Sequence, residues 1–233
     1  MNPILIIDPG HGGKDPGGGS NQYWKEKDLA LKISLYQYKR FKDLGINVAL
    51  TRDKDIALKP SERTNIVKRS NAKYCISNHI NAGGGEGAET IYSIYSNPTL
   101  ANIILDVLVD AGQIKRRAFT KTLPGDLQKD YYFMHRDTGK TETVIVEYGF
   151  ADNVNDTKRL LENWKQYAES VVKAFCLHIG YIYTPVQKNE HWAELYYNSL
   201  IKKGIKINEK RFDDTITRGE MFVLLDRITD QRK

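Results

Sequence analysis

The residues best equipped for chemistry are His11, Glu26, His79 and Glu147. His11 lies in the stretch Asp8-Pro9-Gly10-His11-Gly12-Gly13, directly after a short apolar run, where glycines let backbone approach closely. His79 sits at the end of the apolar segment 74–80, and Glu26 opens the helix-like segment that follows the first loop. Two imidazoles and one carboxylate make up the ligand set of a catalytic zinc that keeps a fourth position for water. Glu147 ends the apolar run 143–146 and is placed to act as a general base. A strand-end histidine also serves as a plain structural hydrogen-bonding residue, so residue types alone leave both readings open.

Phosphate binding is the obvious alternative for a glycine-rich loop, and it fails on spacing. A P-loop ending at Gly13-Lys14 needs glycine at position 8 and Ser or Thr at 15, where Asp8 and Asp15 stand. The dinucleotide pattern beginning at Gly10 also needs a glycine at 15. Other candidates carry weaker cases. Glu86, Glu89 and Glu142 compete with Glu147 for the base role. His135 reads as a solvated loop residue, with contact to substrate or an oxyanion as the alternative, and His178 as structural. Tyr131, Tyr132 and Phe133 either line a groove or pack beneath a loop. Arg52 and Arg63 read as ion-pairing or hydrogen-bonding residues, Asn81 as a brace near His79, and Lys115-Arg116-Arg117 as a solvated face, with contact to an anionic polymer as the alternative.

These residues must be positioned by regular elements, and the first ~180 residues alternate strand-like and helix-like segments. Strands are read at 3–8, 46–51, 74–80, 90–95 and 143–148. Helices are read at 25–44, from 61, at 98–111 and at 156–179. Such alternation predicts an α/β fold, with a largely parallel central sheet flanked by helices. In a parallel sheet the strand ends carrying His11 and His79 share one edge, where open α/β folds place their sites. The loop from Gly10 to Ser20 holds six glycines and few packing side chains, so other residues must shape it. Segment 116–140 breaks the rhythm and reads as a functional loop or lid.

The chain has 233 residues, a formal net charge of +6, 40% hydrophobic and 27% charged residues. That excludes global disorder, and no apolar run reaches the ~18–20 residues of a membrane span. The moderate positive charge points to an anionic partner, either nucleic acid, a membrane surface or a wall polymer, without choosing among them. Neither part of the chain carries a basic tail of the nucleic-acid-binding kind. Cys75 and Cys176 make no disulfide framework and are expected to be buried and reduced. The apolar run 4–7 is too short for a secretory segment. The expectation is therefore synthesis in the cytoplasm.

The blocks Asp8-Pro9-Gly10-His11-Gly12-Gly13, Glu26, Ser77-Asn78-His79-Ile80-Asn81 and Val146-Glu147-Tyr148-Gly149-Phe150 together resemble the zinc-dependent N-acetylmuramoyl-L-alanine amidases of the amidase-3 type. The resemblance covers roughly residues 3–180. It implies that His11, Glu26 and His79 bind one Zn2+ and that Glu147 is the catalytic base. It also implies cleavage of the amide between N-acetylmuramic acid and L-alanine of the peptidoglycan stem peptide. Asn78 stands where the family usually has an apolar residue, and Tyr148 where Leu is commoner. A zinc peptidase or deacetylase acting on wall material, or a catalytically silent wall-binding protein, are the alternatives. With no secretory segment read, the resemblance implies action on the cell wall after release, by phage-type or mother-cell lysis.

Residues 1–182 are expected to form the catalytic domain, 183–188 a linker and 189–233 a small α-helical module. The last part resembles one S-layer-homology repeat: His191-Trp192-Ala193, Lys203-Gly204-Ile205, then Thr217-Arg218-Gly219-Glu220 opening a second helix through Arg227. Such repeats bind anionic secondary cell-wall polymer, usually as a set of three. A single copy is thus expected to complete its site by forming an oligomer.

Overall fold

In the first strand, Leu5 and Ile7 pack into one apolar cluster and Ile6 into another. A strand needs that alternation when both faces of its sheet are covered. The computed structural model describes residues 2–186, 193–205, 207 and 212–230, and contacts divide the chain into two compact units, Met1–Thr184 and Pro185–Lys233.

The first unit is built on β1 (Leu5–Pro9), β2 (Val48–Leu50), β3 (Tyr74–Asn81), β4 (Ala88–Tyr92), β5 (Lys115–Phe119) and β8 (Glu142–Phe150). They form one sheet in the order β2-β1-β3-β8-β4-β5. Pairings are parallel except for β4 against β8, which is antiparallel. The larger apolar cluster joins the sheet to α1 (Glu26–Asp43), α3 (Thr99–Asp110) and α5 (Val154–His178). The smaller one joins it to α2 (Pro60–Ser70) and α4 (Phe133–Arg136) through Val67 and Met134. The fold is thus α/β with a mostly parallel central sheet flanked by helices. Cys75 and Cys176 are free and fully buried, one in each cluster.

Two local readings change. The fourth strand runs over Ala88–Tyr92 rather than 90–95, which brings Glu89 into the sheet. Segment 116–140 is not one long loop. It contains most of β5, a hairpin of β6 (Thr122–Leu123) with β7 (Asp126–Asp130), and α4. Its strands escape notice because Lys115, Arg116 and Arg117 are exposed on the edge strand β5, which erases the apolar alternation.

Asn78 and Tyr148, the two departures from the family pattern, meet in the core. Asn78 donates to Ser34 Oγ and Gln37 Oε1, both at 2.8 Å. Gln37 donates to the Tyr148 hydroxyl at 2.8 Å, and that hydroxyl donates to Asn78 Oδ1 at 2.9 Å. All four residues are fully buried, so each departure supplies the partner the other needs.

The second unit contains α6 (Glu194–Lys202) and α7 (Arg218–Asp230). Thr217 and Glu220 exchange bonds in a capping box at the start of α7: the Thr217 N–H reaches Glu220 Oε2 at 2.8 Å, and the Glu220 N–H reaches Thr217 Oγ1 at 3.2 Å. His191, Trp192 and residues 187–188 of the expected linker lie outside the described residues. Among the described residues no helix is long and apolar enough to cross a membrane.

Replacing Tyr148 by Phe removes one hydroxyl and strands the Gln37 amide and the Asn78 carbonyl in the core. The expected loss is about 1–3 kcal/mol of unfolding free energy. Urea denaturation measures it, and an unchanged midpoint would contradict the network's role.

Candidate metal centre

The glycine loop after β1 is held by two buried arginines that act on its carbonyl oxygens. Arg63 Nη1 donates to Asp8 Oδ1 and to the Pro9 carbonyl, and its Nη2 to the His11 carbonyl, each at 2.6 Å. Arg52 donates to the Pro9 carbonyl at 3.1 Å and to the Gly10 carbonyl at 2.7 Å. Asp8 is 0% exposed and also accepts from Thr51 at 2.6 Å and Ser77 at 2.7 Å. A buried charge is tolerated only when paired and hydrogen-bonded, and Asp8 is both. This clamp sets the course of three successive residues and delivers His11 with a left-handed φ of 56°.

The remaining donors converge on the same point. His11 Nε2 lies 3.1 Å from Glu26 Oε1, and His79 Nδ1 lies 3.0 Å from that same oxygen. One ligand atom from each residue falls within 4.8 Å of the other two. Tetrahedral zinc with bonds of about 2.0–2.1 Å needs ligand atoms about 3.3 Å apart, so this donor set fits such an ion. Supporting contacts orient two of the three donors. His11 Nδ1 is held by Asp15 Oδ2 at 2.8 Å, the Gly19 N–H donates to Glu26 Oε2 at 2.8 Å, and the Ile80 N–H donates to Glu26 Oε1 at 3.1 Å. Two glycines are required by space: a Cβ on Gly10 would lie 2.3 Å from the His79 ring, and one on Gly19 1.9 Å from the Ile80 carbonyl oxygen.

Glu147 stands directly opposite His79 in the β3–β8 register. Its Oε2 is sealed from solvent and has no hydrogen-bond partner among the described residues. Burial pushes its pKa up to about 7, against the attraction of His79. A carboxyl group with that value can take and return a proton near neutrality.

Residues 5–177 match the family Amidase_3, N-acetylmuramoyl-L-alanine amidase. The chain belongs to that family. CwlM of Bacillus licheniformis, an N-acetylmuramoyl-L-alanine amidase, is 31% identical over 67% of this chain and 60% of its own length. The sporulation-specific N-acetylmuramoyl-L-alanine amidase of Bacillus subtilis is 30% identical over 67% of this chain and 59% of its own. The chain thus spans about three fifths of the length of these curated relatives. The structure of the amidase AmiC2 of Nostoc punctiforme superposes with a TM-score of 0.67 at 26% identity, over 76% of this chain and 97% of that one.

Within this Amidase_3 chain, the fold gathers His11, Glu26, His79 and Glu147 at one sheet edge, and the weaker base candidates are either remote from it or already paired. Glu86 pairs with Arg159, and Glu142 begins β8 at its opposite end. Glu89 is buried opposite Glu147, but it is bound by Arg116, Arg117 and Asn81. The basic cluster is therefore no plain solvated face: Lys115 pairs with Asp106, and both arginines hold Glu89. His135 is 8% exposed rather than solvated, and burial pulls its pKa down to about 4. The short helix α4 turns it inward beside Tyr132, which loop composition did not reveal. Asp15 is a positioning residue that the sequence pattern does not single out. Its signal was present in its spacing, four residues after His11.

Burial works to lower the His11 pKa, but hydrogen bonds and charge from Glu26 and Asp15 outweigh it and lift the value to about 9. A metal binds the neutral imidazole, so the ion must displace that proton. The affinity of the metal-free protein for Zn2+ should therefore climb with pH and level off above about pH 9. Competition with a chromogenic chelator measures this, and an affinity independent of pH between about 6 and 9 would contradict it.

Proposed function

We propose that this chain hydrolyses the amide between N-acetylmuramic acid and the L-alanine of the peptidoglycan stem peptide, using one zinc ion. Support comes from family membership together with one observation. Three convergent donors lie beside a carboxyl group that is in register with His79 and has a near-neutral pKa. In this reading His11 Nε2, His79 Nδ1 and a Glu26 carboxylate oxygen hold the metal. When bound, zinc supplies Lewis acidity, polarising the scissile carbonyl and letting water react near neutral pH.

The chain's own residues do the rest. Glu147 accepts the proton from the attacking water and passes it to the departing L-alanine nitrogen, which leaves as an amine. No neighbour competes for its unpartnered Oε2, and the residue as a whole is only half-buried, so a water can reach the carboxyl group. Asp15 keeps the His11 ring turned so that Nε2, not Nδ1, faces the metal. Desolvation of the Glu147 carboxyl raises its pKa, which lets it act as an acid in the second half of the reaction.

The cell wall is the proposed site of action, after release by phage-type or mother-cell lysis. One relative's name, a sporulation-specific amidase, is in keeping with that. Residues 189–233 are proposed to be a separate module that binds anionic secondary wall polymer, with oligomerisation completing its site.

Digestion of purified peptidoglycan with and without chelator, followed by mass analysis, tests the reaction. New L-alanine amino termini support it, whereas new termini elsewhere in the peptide, or loss of acetyl groups, would favour a peptidase or deacetylase. Glu147→Gln should keep stoichiometric zinc and lose at least about 100-fold in kcat. His79→Ala should lose the metal itself. A Glu147→Gln protein with wild-type turnover would remove the base assignment, and stoichiometric zinc in His79→Ala would remove the ligand assignment. Deleting residues 186–233 should weaken binding to intact walls more than hydrolysis of soluble fragments. Equal losses would contradict a targeting role.

A further inference from the structure

One row of side chains crosses four adjacent strands. His79 on β3 is opposite Glu147 on β8, Glu147 is opposite Glu89 on β4, and Glu89 is opposite Arg117 on β5. The row passes from a candidate metal donor, through the candidate base, to a fixed cation. Neighbouring strands lie about 4.8 Å apart, so the Arg117 backbone stands about 10 Å from that of Glu147. At that end a cleft of about 510 Å3 is lined by Asn81, Glu89, Arg116, Arg117, Lys121 and Tyr132, among others.

This cleft is lined by exposed cations that neighbouring side chains orient. Glu89 is 3% exposed, and its Oε1 accepts the Nε–H of Arg116 at 2.7 Å and that of Arg117 at 2.8 Å. Its Oε2 accepts from Asn81 at 3.0 Å. Each arginine gives Glu89 only its Nε, which leaves the terminal nitrogens outside that contact. The guanidinium of Arg117 lies 4.0 Å over the Phe119 ring, that of Arg116 5.0 Å over Phe150, and the Lys121 ammonium 3.9 Å over Tyr131. Side chains held on aromatic faces have already lost much of the rotamer freedom that binding would otherwise remove. Three cations against one buried carboxylate leave the cleft positive, and planar guanidinium donors match a carboxylate.

We propose that this cleft is a carboxylate-binding subsite that holds an acidic residue of the stem peptide, the second residue beyond the bond that is cut. The proposal rests on the amidase reading given above. An extended peptide advances at most about 3.3–3.6 Å per residue, so a guanidinium whose backbone stands about 10 Å from that of the base, and which leans back over Glu89, meets the second residue. A free carboxylate there completes the Arg116–Arg117 pair, while the corresponding carboxamide brings no charge to it.

The test uses the full-length zinc-loaded protein and two muramyl peptides that differ only in carrying carboxylate or carboxamide on the second stem residue. Wild-type protein should favour the carboxylate by about tenfold or more in kcat/KM, expressed in KM. Arg117→Gln should bring that ratio near one by weakening the acidic substrate. Lys121→Gln, which removes no partner of Glu89, should also lower it and guards against a folding defect in the first variant. No preference in the wild type would overturn the proposal. So would variants that lose both substrates equally, or that lose only wall-polymer binding and keep the ratio. Failure of the wild type to release an L-alanine amino terminus from either peptide would instead sink the amidase reading, and the subsite with it.

Discussion

The site depends on a contact made beneath it: the buried pairing of Asp8 with Arg63, joined by Arg52 on the neighbouring carbonyls. A loop of glycines has no side chains with which to choose a conformation. The choice is made by two guanidinium groups that capture the carbonyl oxygens of Pro9, Gly10 and His11. Asp8 is the anchor, because its oxygens also bind Thr51 after β2 and Ser77 on β3. One carboxylate therefore ties the first strand to its two neighbours and to α2. Breaking such a pair costs far more than forming it stabilises, since the remaining charge would be buried alone.

The second constraint is the direction of the strands. Parallel β1, β3 and β8 bring the residues after Pro9, His79 and Glu147 to one edge. The reversal at β4 brings Glu89, near the start of its strand, to that same edge, and β5 follows it with Arg116 and Arg117. An all-parallel sheet would have sent those two residues to the opposite end of the molecule. A single antiparallel pairing thus sets a cationic cleft beside a carboxyl group whose pKa is raised by burial.

Interior polarity is settled by closure. Asn78 and Tyr148 looked like disturbances in strands that are otherwise apolar at those positions. Together with Ser34 and Gln37 they form a loop of hydrogen bonds under the site, linking α1, whose first residue is Glu26, to β3 and β8. Low surrounding polarity strengthens such bonds when all members are satisfied. The network therefore bears on the relative placement of Glu26, His79 and Glu147.

Which residues could hold a metal, and that the strands leading to His11 and His79 end together, was legible in the sequence, because glycine spacing, strand-end histidines and apolar periodicity are local signals. The alternating α/β order was legible for the same reason. The tertiary structure alone decided the antiparallel turn of β4, the burial of His135 and the capture of Glu89 by two arginines that read as solvent-facing. It alone decided the role of Asp15, although the spacing was in plain view. Each of these depends on which strand lies beside which, and a period along one chain carries no information about its neighbour across the sheet.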